Sequence, residues 1–463
     1  MGLTFALSEG VLEAMFLKKL KTVMAALLVL GMITSGGGIL SHDTAIAREH
    51  QAEKPPNEGS KGEGVPAEKE PKEGEVQKPL DSKLLAKLAD QLQSKDWEER
   101  SAAVQALAKL LAGKRDGKTD FGPVIEPLFG NAGWGGIARR NALMAEDSLV
   151  RIGAQAKPLL KQRLKSADAH DRRVAAQLLV RIGPPDAALV AMLRPLLTDR
   201  DDWVRKASID GLGSLGAPAK DAVDDLERLA TNDPILASRV GARIALIRVA
   251  GVSDERIRAL ASFFAMKDEL KGEQNQSRKE AAVYAASALG ELGPKARAAA
   301  PLLLAALKNP EVRGVAARVL GEIGANSPEA VTVLIDLLKN DPEREGRRSA
   351  AGSLGMFGQS AKEAIPALGA ALKGDPKGGW WVAAESLAKI GGAEVVPILI
   401  EALVNPDEGI RRTSMRGLGD LGVVAKPALK ALEKARQEDL LESNREAAAQ
   451  ALRKIERAVT KVK

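Results

Sequence analysis

The chain has no cysteine. Disulfides, thiolate metal sites, a cysteine nucleophile and a lipidated cysteine anchor are therefore all excluded. Histidine is nearly absent too, with three in 463 residues. His42 and His50 precede the region that reads as folded, and His170 stands alone in the polar stretch SADAHDRR, where it reads as a surface turn residue. Histidine-based zinc or di-iron sites have no ligands to draw on. Aromatics are scarce, at one tyrosine, five tryptophans and seven phenylalanines, while alanine and glycine are in excess. One large core normally leans on aromatics, whereas a stack of close-packed helices can use small residues instead. No run alternates convincingly as a strand.

Long apolar runs are limited to one. Lys18, Lys19 and Lys21 precede an uncharged stretch over 22–41, densest at VMAALLVLGMI, and SHDTAIA follows with Ala45 and Ala47 at signal-peptidase spacing. Residues 1–47 read either as a cleaved signal peptide or as a retained anchor, since about 20 uncharged residues just span a bilayer. The words LSEGVLEAMFLKKLKTVMAALLVLG resemble the membrane-proximal tails of some bacterial extracytoplasmic-function sigma factors, and that resemblance implies an anchor. Both readings place the rest of the chain outside the cytoplasm. Residues 48–79 alternate charges with five prolines and four glycines and hold no aromatic, so they cannot bury enough surface to offset ordering entropy. They read as a disordered linker.

From residue 80 onward one phrase recurs: DWVRKASIDGLGSLG (202–216), KNPEVRGVAARVLGEIG (308–324), EGIRRTSMRGLGDLG (408–422). Aligning the helix-ending position gives Leu111, Gly153, Gly183, Gly216, Gly251, Gly293, Gly324, Gly358, Gly391, Gly422 and Glu456, a mean period of about 34.5 residues. Each unit reads as a short apolar helix with an early proline (APLLLAAL, IPALGAAL), an Asx-Pro turn, and an Ala-rich second helix stopped by glycine. The predicted fold over 80–463 is an all-α, right-handed α-solenoid of about ten to eleven two-helix repeats.

An arginine falls eleven residues before the anchor at Arg172, Arg205, Arg313, Arg347, Arg411 and Arg445, with Arg100 matching in the first unit. A helix dipole disfavours positive charge there, so an acidic partner is expected. Asp168, Asp202, Asp341 and Asp407, just upstream, are the candidates, in a structural ladder of Asx–Arg contacts between turns.

The Asx-Pro turn, V-R, the Ala-rich helix and L-G-x-I/L-G, as in NPEVRGVAARVLGEIG, resemble the HEAT-repeat superfamily, specifically the short HEAT-like repeats of phycobilisome lyases. The resemblance covers about residues 82–460. It implies second helices on the concave face. It also brings enzyme readings by association, as a bilin lyase or a deoxyhypusine hydroxylase; the hydroxylase pattern needs several His-Glu pairs, and this sequence has none. Tetratricopeptide arrays share the period, but their Trp–Leu-Gly–Tyr signature is missing, as is the ankyrin T-P-L-H word. GLGSLG (211–216) and GLGDLG (417–422) match the dinucleotide fingerprint, yet these glycines end helices, where carbonyls repel phosphate.

The tryptophans are the binding candidates. Trp97, Trp203, Trp380 and Trp381 sit at or before second helices and Trp134 in a turn, so stacking is expected to align them as one partner-binding ridge. The basic balance, 59 Lys/Arg against 50 Asp/Glu over 80–463, raises nucleic acid as an alternative. The expected concave positions, however, mix Arg151, Arg181, Arg318, Lys389, Arg416, Lys109 and Lys454 with Asp147, Asp210, Glu291, Glu322, Glu385 and Asp420. That mixture is not a phosphate track and suits a protein partner. Two longer units, with extra residues in 113–136 and 263–277, are expected to project specificity loops. The expectation is a non-catalytic, exported or membrane-tethered bacterial scaffold without cofactor or metal, meeting the membrane only through its N-terminal segment.

Overall fold

The computed structural model describes residues 80–112, 119–132, 139–266, 273–374 and 380–462. The leader, the linker, Trp134 and parts of the two insertions, 113–118, 133–136 and 267–272, lie outside the described residues. Among the described residues there is no strand, and no helix is long and apolar enough to cross a membrane.

Among the described residues twenty-two α-helices form eleven consecutive pairs. They run α1 Ser82–Leu92, α2 Trp97–Leu110, α3 Gly122–Gly130, α4 Arg139–Ile152, α5 Lys157–Arg163, α6 Ala169–Ile182, α7 Ala187–Leu193 and α8 Asp202–Leu215. The middle of the array is α9 Val223–Asn232, α10 Leu236–Ala250, α11 Asp254–Ala261, α12 Glu273–Leu292, α13 Ala300–Ala306, α14 Arg313–Glu322, α15 Pro328–Asn340 and α16 Arg344–Met356. It ends with α17 Ile365–Leu372, α18 Trp381–Ile390, α19 Val395–Glu401, α20 Glu408–Asp420, α21 Leu429–Glu438 and α22 Glu442–Val462. Each odd-numbered helix packs on the even-numbered one that follows, and each even-numbered helix packs on the next even-numbered one. This nearest-neighbour stacking is the architecture of an all-α solenoid.

The core is a ribbon. Helix α10 gives Val240, Ile244 and Ile247 to the apolar cluster that continues to α22, and Ala242, Ala245, Leu246 and Val249 to the cluster reaching back to α1. A helix covered on both sides has no wide polar face, so small residues carry the packing. Gly321 of α14 shows why: a Cβ there would stand 2.8 Å from Ser353 Cα on α16. Gly355 repeats the contact one unit later, 2.7 Å from Ser386 Cα. The serines are buried, and each hydroxyl donates back to the neighbouring helix, Ser353 Oγ to Ala317 O at 2.6 Å and Ser386 Oγ to Ala351 O at 2.8 Å.

The anchor glycines stop the second helices in the left-handed region, as at Gly324 with φ 64°. Gly183 departs from this, ending α6 in extended backbone with φ −86°. An alanine at position 355 has no room to relax without parting α16 from α18. Gly355→Ala should therefore cost roughly 2–3 kcal/mol. Gly130→Ala, at a helix end with nothing within 4 Å of the new Cβ, should be neutral or stabilising by about 0.5 kcal/mol. Urea titrations followed by helical circular dichroism separate the two; equal midpoints would refute the close-approach account.

Candidate partner-binding edge

The turns between first and second helices form one edge of each unit, and a repeated rung builds it. The residue opening the turn is Asp, Asn or Ser, and its side-chain oxygen accepts from the amide two residues on: Asp201 N to Asp199 at 3.0 Å, Ile235 N to Asp233 at 2.9 Å, Leu441 N to Asp439 at 3.0 Å, Asp168 N to Ser166 at 3.2 Å. The arginine of the second helix then turns back. Its Nη1 donates to the carbonyls of its own turn, from Arg100 to Ser94 O (2.7 Å), Arg172 to Ser166 O (2.9 Å), Arg205 to Asp199 O (3.0 Å), Arg347 to Asp341 O (2.7 Å), Arg411 to Asn405 O (2.9 Å) and Arg445 to Asp439 O (2.7 Å).

The other edge of the guanidinium reaches the turn of the next unit. Arg172 Nε and Nη2 both donate to Asp199 at 2.7 Å; Arg205 grips Asp233 at 2.7 and 3.1 Å, and Arg411 grips Asp439 at 2.8 and 3.1 Å. Arg313 makes a looser rung, one bond of 2.6 Å to Asp341, leaving Arg313 Nε and Asp341 Oδ2 without partners.

The acidic partners thus lie one unit downstream, not just upstream. Asp168 and Asp407 cap their own helices, accepting from His170 N and Ile410 N, while Asp202 sits inside the first turn of α8 and Asp341 serves the preceding unit's Arg313. Arg445 bonds the carbonyls of its own turn, and Arg100 faces a unit whose turn carries Asn131, which donates to Leu92 O at 3.0 Å. Arg278, one helical turn out of register, reaches Glu311 at 3.1 Å. His170, expected in a turn, lies in the first turn of α6 with Nε2 3.2 Å from Ala132 O.

Among the described tryptophans, Trp380 does not join an exposed ridge. Trp97 and Trp203 are exposed, at 57% and 62%, and Trp381 is 41% exposed, but Trp380 is buried at 6%. The reason lies in the register: Trp380 occupies the arginine position, and that position points into the joint between units. Arg347 stacks over its ring at 5.8 Å, and the following turn carries Asn405, which donates to Leu372 O at 2.9 Å. A tryptophan rung replaces the Arg–Asp rung, and the unneeded carboxylate is absent. Trp203 stands over a cleft of about 490 Å³ that also involves Lys206, Ile235, Arg239, Met266 and Glu280. Trp97 borders a larger depression of about 1030 Å³ with Arg100, Glu126 and Arg163.

Eight of the thirteen expected inner-face charges pair with one another, Glu291 and Asp210 pair with Arg248 and Lys206, and Lys109, Arg151 and Arg416 form no ion pair among the described residues. Arg318 meets Glu322 at 2.5 Å, Lys389 meets Glu385 at 2.7 Å, Lys454 meets Asp420 at 2.6 Å, Arg248 meets Glu291 at 3.7 Å, and Arg181 meets Asp147. Sequence reasoning missed Tyr284, whose hydroxyl donates to Asp210 Oδ1 at 3.4 Å from two second helices away, with Lys206 Nζ 2.5 Å from Asp210 and 5.4 Å from the ring. Burial and the Asp210 carboxylate push the phenol above its usual range. The signal was Gly241 on intervening α10, where a Cβ would stand 3.8 Å from Asp210 Oδ1.

Stacked two-helix units joined by these rungs define the chain as an α-solenoid. The family model described as HEAT repeats matches residues 156–247, 270–355, 300–381 and 365–453, and the chain belongs to that family. No curated protein matches it. Among solved structures it is similar to yeast importin-beta, Kap95p (12% identity, 82% of this chain and 52% of that one, TM-score 0.46). It is also similar to the karyopherin Kap121p bound to the SUMO protease Ulp1p (14%, 82% and 50%, TM-score 0.45) and to an engineered protein (20%, 81% and 99%, TM-score 0.37). The chain spans about half the length of those karyopherins.

The Arg172 and Arg411 guanidinium groups hold the Asp199 and Asp439 carboxyls below the usual carboxylate value. A depressed carboxylate stabilises the fold fully above its unfolded pKa of about 4, and that contribution is lost as pH falls through the folded value. The Asp199→Asn, Asp439→Asn double variant should be less stable than wild type at pH 7, and the two urea midpoints should converge near pH 2. A gap that persists unchanged into acid would sink the rung account. Trp380→Ala should cost about 3–5 kcal/mol as a core truncation, while Trp381→Ala stays within about 1 kcal/mol; thermal melts decide.

Proposed function

We propose that the chain is a non-catalytic scaffold, exported or tethered by residues 1–47, carried on a linker over 48–79, and binding a protein partner along the turn edge of its solenoid. The observation that carries this reading is Trp203, 62% exposed over its cleft. A large aromatic surface left to solvent beside a concave, mixed-polarity wall is the composition of an interface anchor. The charge pattern supports protein over nucleic acid, because ion pairs compensate most of the second-helix positions instead of leaving a continuous basic track. The non-catalytic part rests on the use of ionisable groups in caps, rungs and ion pairs. The leader, with its lysines before an apolar run, supports placement outside the cytoplasm.

Crosslinking the full chain in native envelopes, followed by mass spectrometry, tests it. One protein should be enriched by wild type and lost at least ten-fold with the triple variant Trp97→Ala, Trp203→Ala, Trp381→Ala. Recovery of nothing but nucleic acid released by salt, or of the same protein by the triple variant, would overturn the reading.

A further inference from the structure

Trp381 differs from the other exposed tryptophans in what surrounds it. It opens α18, one residue past the buried rung, and Arg348 of α16 stacks over its ring at 5.7 Å. On its other side lies α20. A Cβ on Gly409 would stand 4.0 Å from Trp381 Cβ, and Arg412 and Arg416 follow Gly409 on that same face of α20, one and two turns on. Arg348, Trp381 and Arg412 are equivalent residues of three successive units, each ten before its anchor glycine.

The charge here is not compensated as it is elsewhere. Arg412 and Arg416 make no ion pair among the described residues. Arg348 reaches Glu345 only at 3.9 Å, and its Nε is buried without a partner. Among the described residues Glu385 pairs with Lys389 and Asp420 with Lys454, Glu408 lies in the first turn of α20 beside the Arg411 rung, and Glu446, the equivalent residue of the next unit, forms no ion pair with Arg412. An apolar ring flanked by three arginines thus stands beside the ion pairs Lys389–Glu385 and Lys454–Asp420.

We propose that this patch binds an extended acidic segment of the partner protein, with an apolar side chain on Trp381 and carboxylates on Arg348 and on Arg412 or Arg416. This rests on the scaffold reading and adds the partner's chemistry. Arginine forks match carboxylates bidentately. Neighbouring helix axes are about 8–10 Å apart and an extended chain advances about 3.3 Å per residue, so one unit is crossed in about three residues. The recognised pattern is an acidic residue, two spacers, a large apolar residue, two spacers and a second acidic residue. A nucleic-acid backbone would require positive charge to continue along the array, and the flanking ion pairs interrupt it.

A random twelve-residue peptide library selected on the full chain, with the triple variant Arg348→Glu, Arg412→Glu, Arg416→Glu as counter-target, tests the proposal. Enriched peptides should carry Asp or Glu about three residues from a large apolar side chain. They should bind wild type at least ten-fold tighter than either the triple variant or Trp381→Ala, and Lys-for-Glu peptides should bind the triple variant better than wild type. Enrichment without acidic bias, binding indifferent to these substitutions, or displacement of the peptides by a single-stranded oligonucleotide would each overturn it. Circular dichroism of the variants excludes unfolding as the cause. Should envelope crosslinking still capture a partner through the tryptophans while the peptides ignore these arginines, the scaffold reading stands and only the acidic-segment assignment falls.

Discussion

The arrangement of the array depends on one guanidinium shared between two turns. Arg205 ties the carbonyl at the start of its own turn to the carboxylate of the next, and Asp233 is itself fixed by an amide two residues away. A bidentate fork has a planar geometry that tolerates little rotation. Fixing both turns to one such plane therefore sets the rotation between units at the joints made by Arg172, Arg205 and Arg411, which apolar packing between alanine-rich helices leaves free to slide. The desolvation cost of burying these ions is offset only because each carboxylate oxygen and most of the guanidinium edge find partners. Where that fails, as at Arg313 and Asp341, one donor and one acceptor remain orphaned.

The same device resolves the apparent misplacement of positive charge at a helix start. Near the first turn of α8 the exposed amides are served by Asp201, which accepts from Val204 N, so the arginine need not interact with the dipole at all. It addresses the carbonyls behind it, at the C-terminal end of the preceding helix, where a cation is favoured. The Asp carboxylate and the Arg of one turn are therefore not ion-pair partners; the arginine takes only backbone carbonyls there. Each serves a different helix end, and together they serve two different units.

Much of this was legible in the sequence, and the misses have a common cause. Period, helix pairing and stop glycines follow from local chemistry, and local chemistry is written within one repeat. The rung partner lies about one period away, 28 residues from Arg205 to Asp233, and a single repeat read alone offers the nearer but wrong carboxylate. Trp380 was misread for a related reason. Its neighbour Trp381 is chemically identical, and only the register, eleven against ten residues before Gly391, separates a buried rung from a half-exposed side chain. Since arginine at that register was already expected to face a joint, the same position predicts burial for any residue placed there. Tyr284 escaped because its partner is two units distant, across a glycine whose importance is the absence of a side chain.

A fold built from nearest-neighbour joints separates stability from recognition. The rungs, the serine back-bonds and the glycine approaches lie between helices and hold Trp380, Asp233 and Ser353 out of solvent. Residues one position away, such as Trp381, and those at the turn crest, such as Trp203, are free of that duty. Substitution there changes what the edge presents without changing how units stack, because a solenoid's core does not pass through its rim. The positions that vary at low structural cost are thus the ones able to carry specificity, and exposed tryptophan at such positions is costly in water without a compensating packing role. Retaining it beside uncompensated arginines at Trp381, and beside a cleft at Trp203, places the chemical distinctiveness of this array on its edge and leaves its core generic.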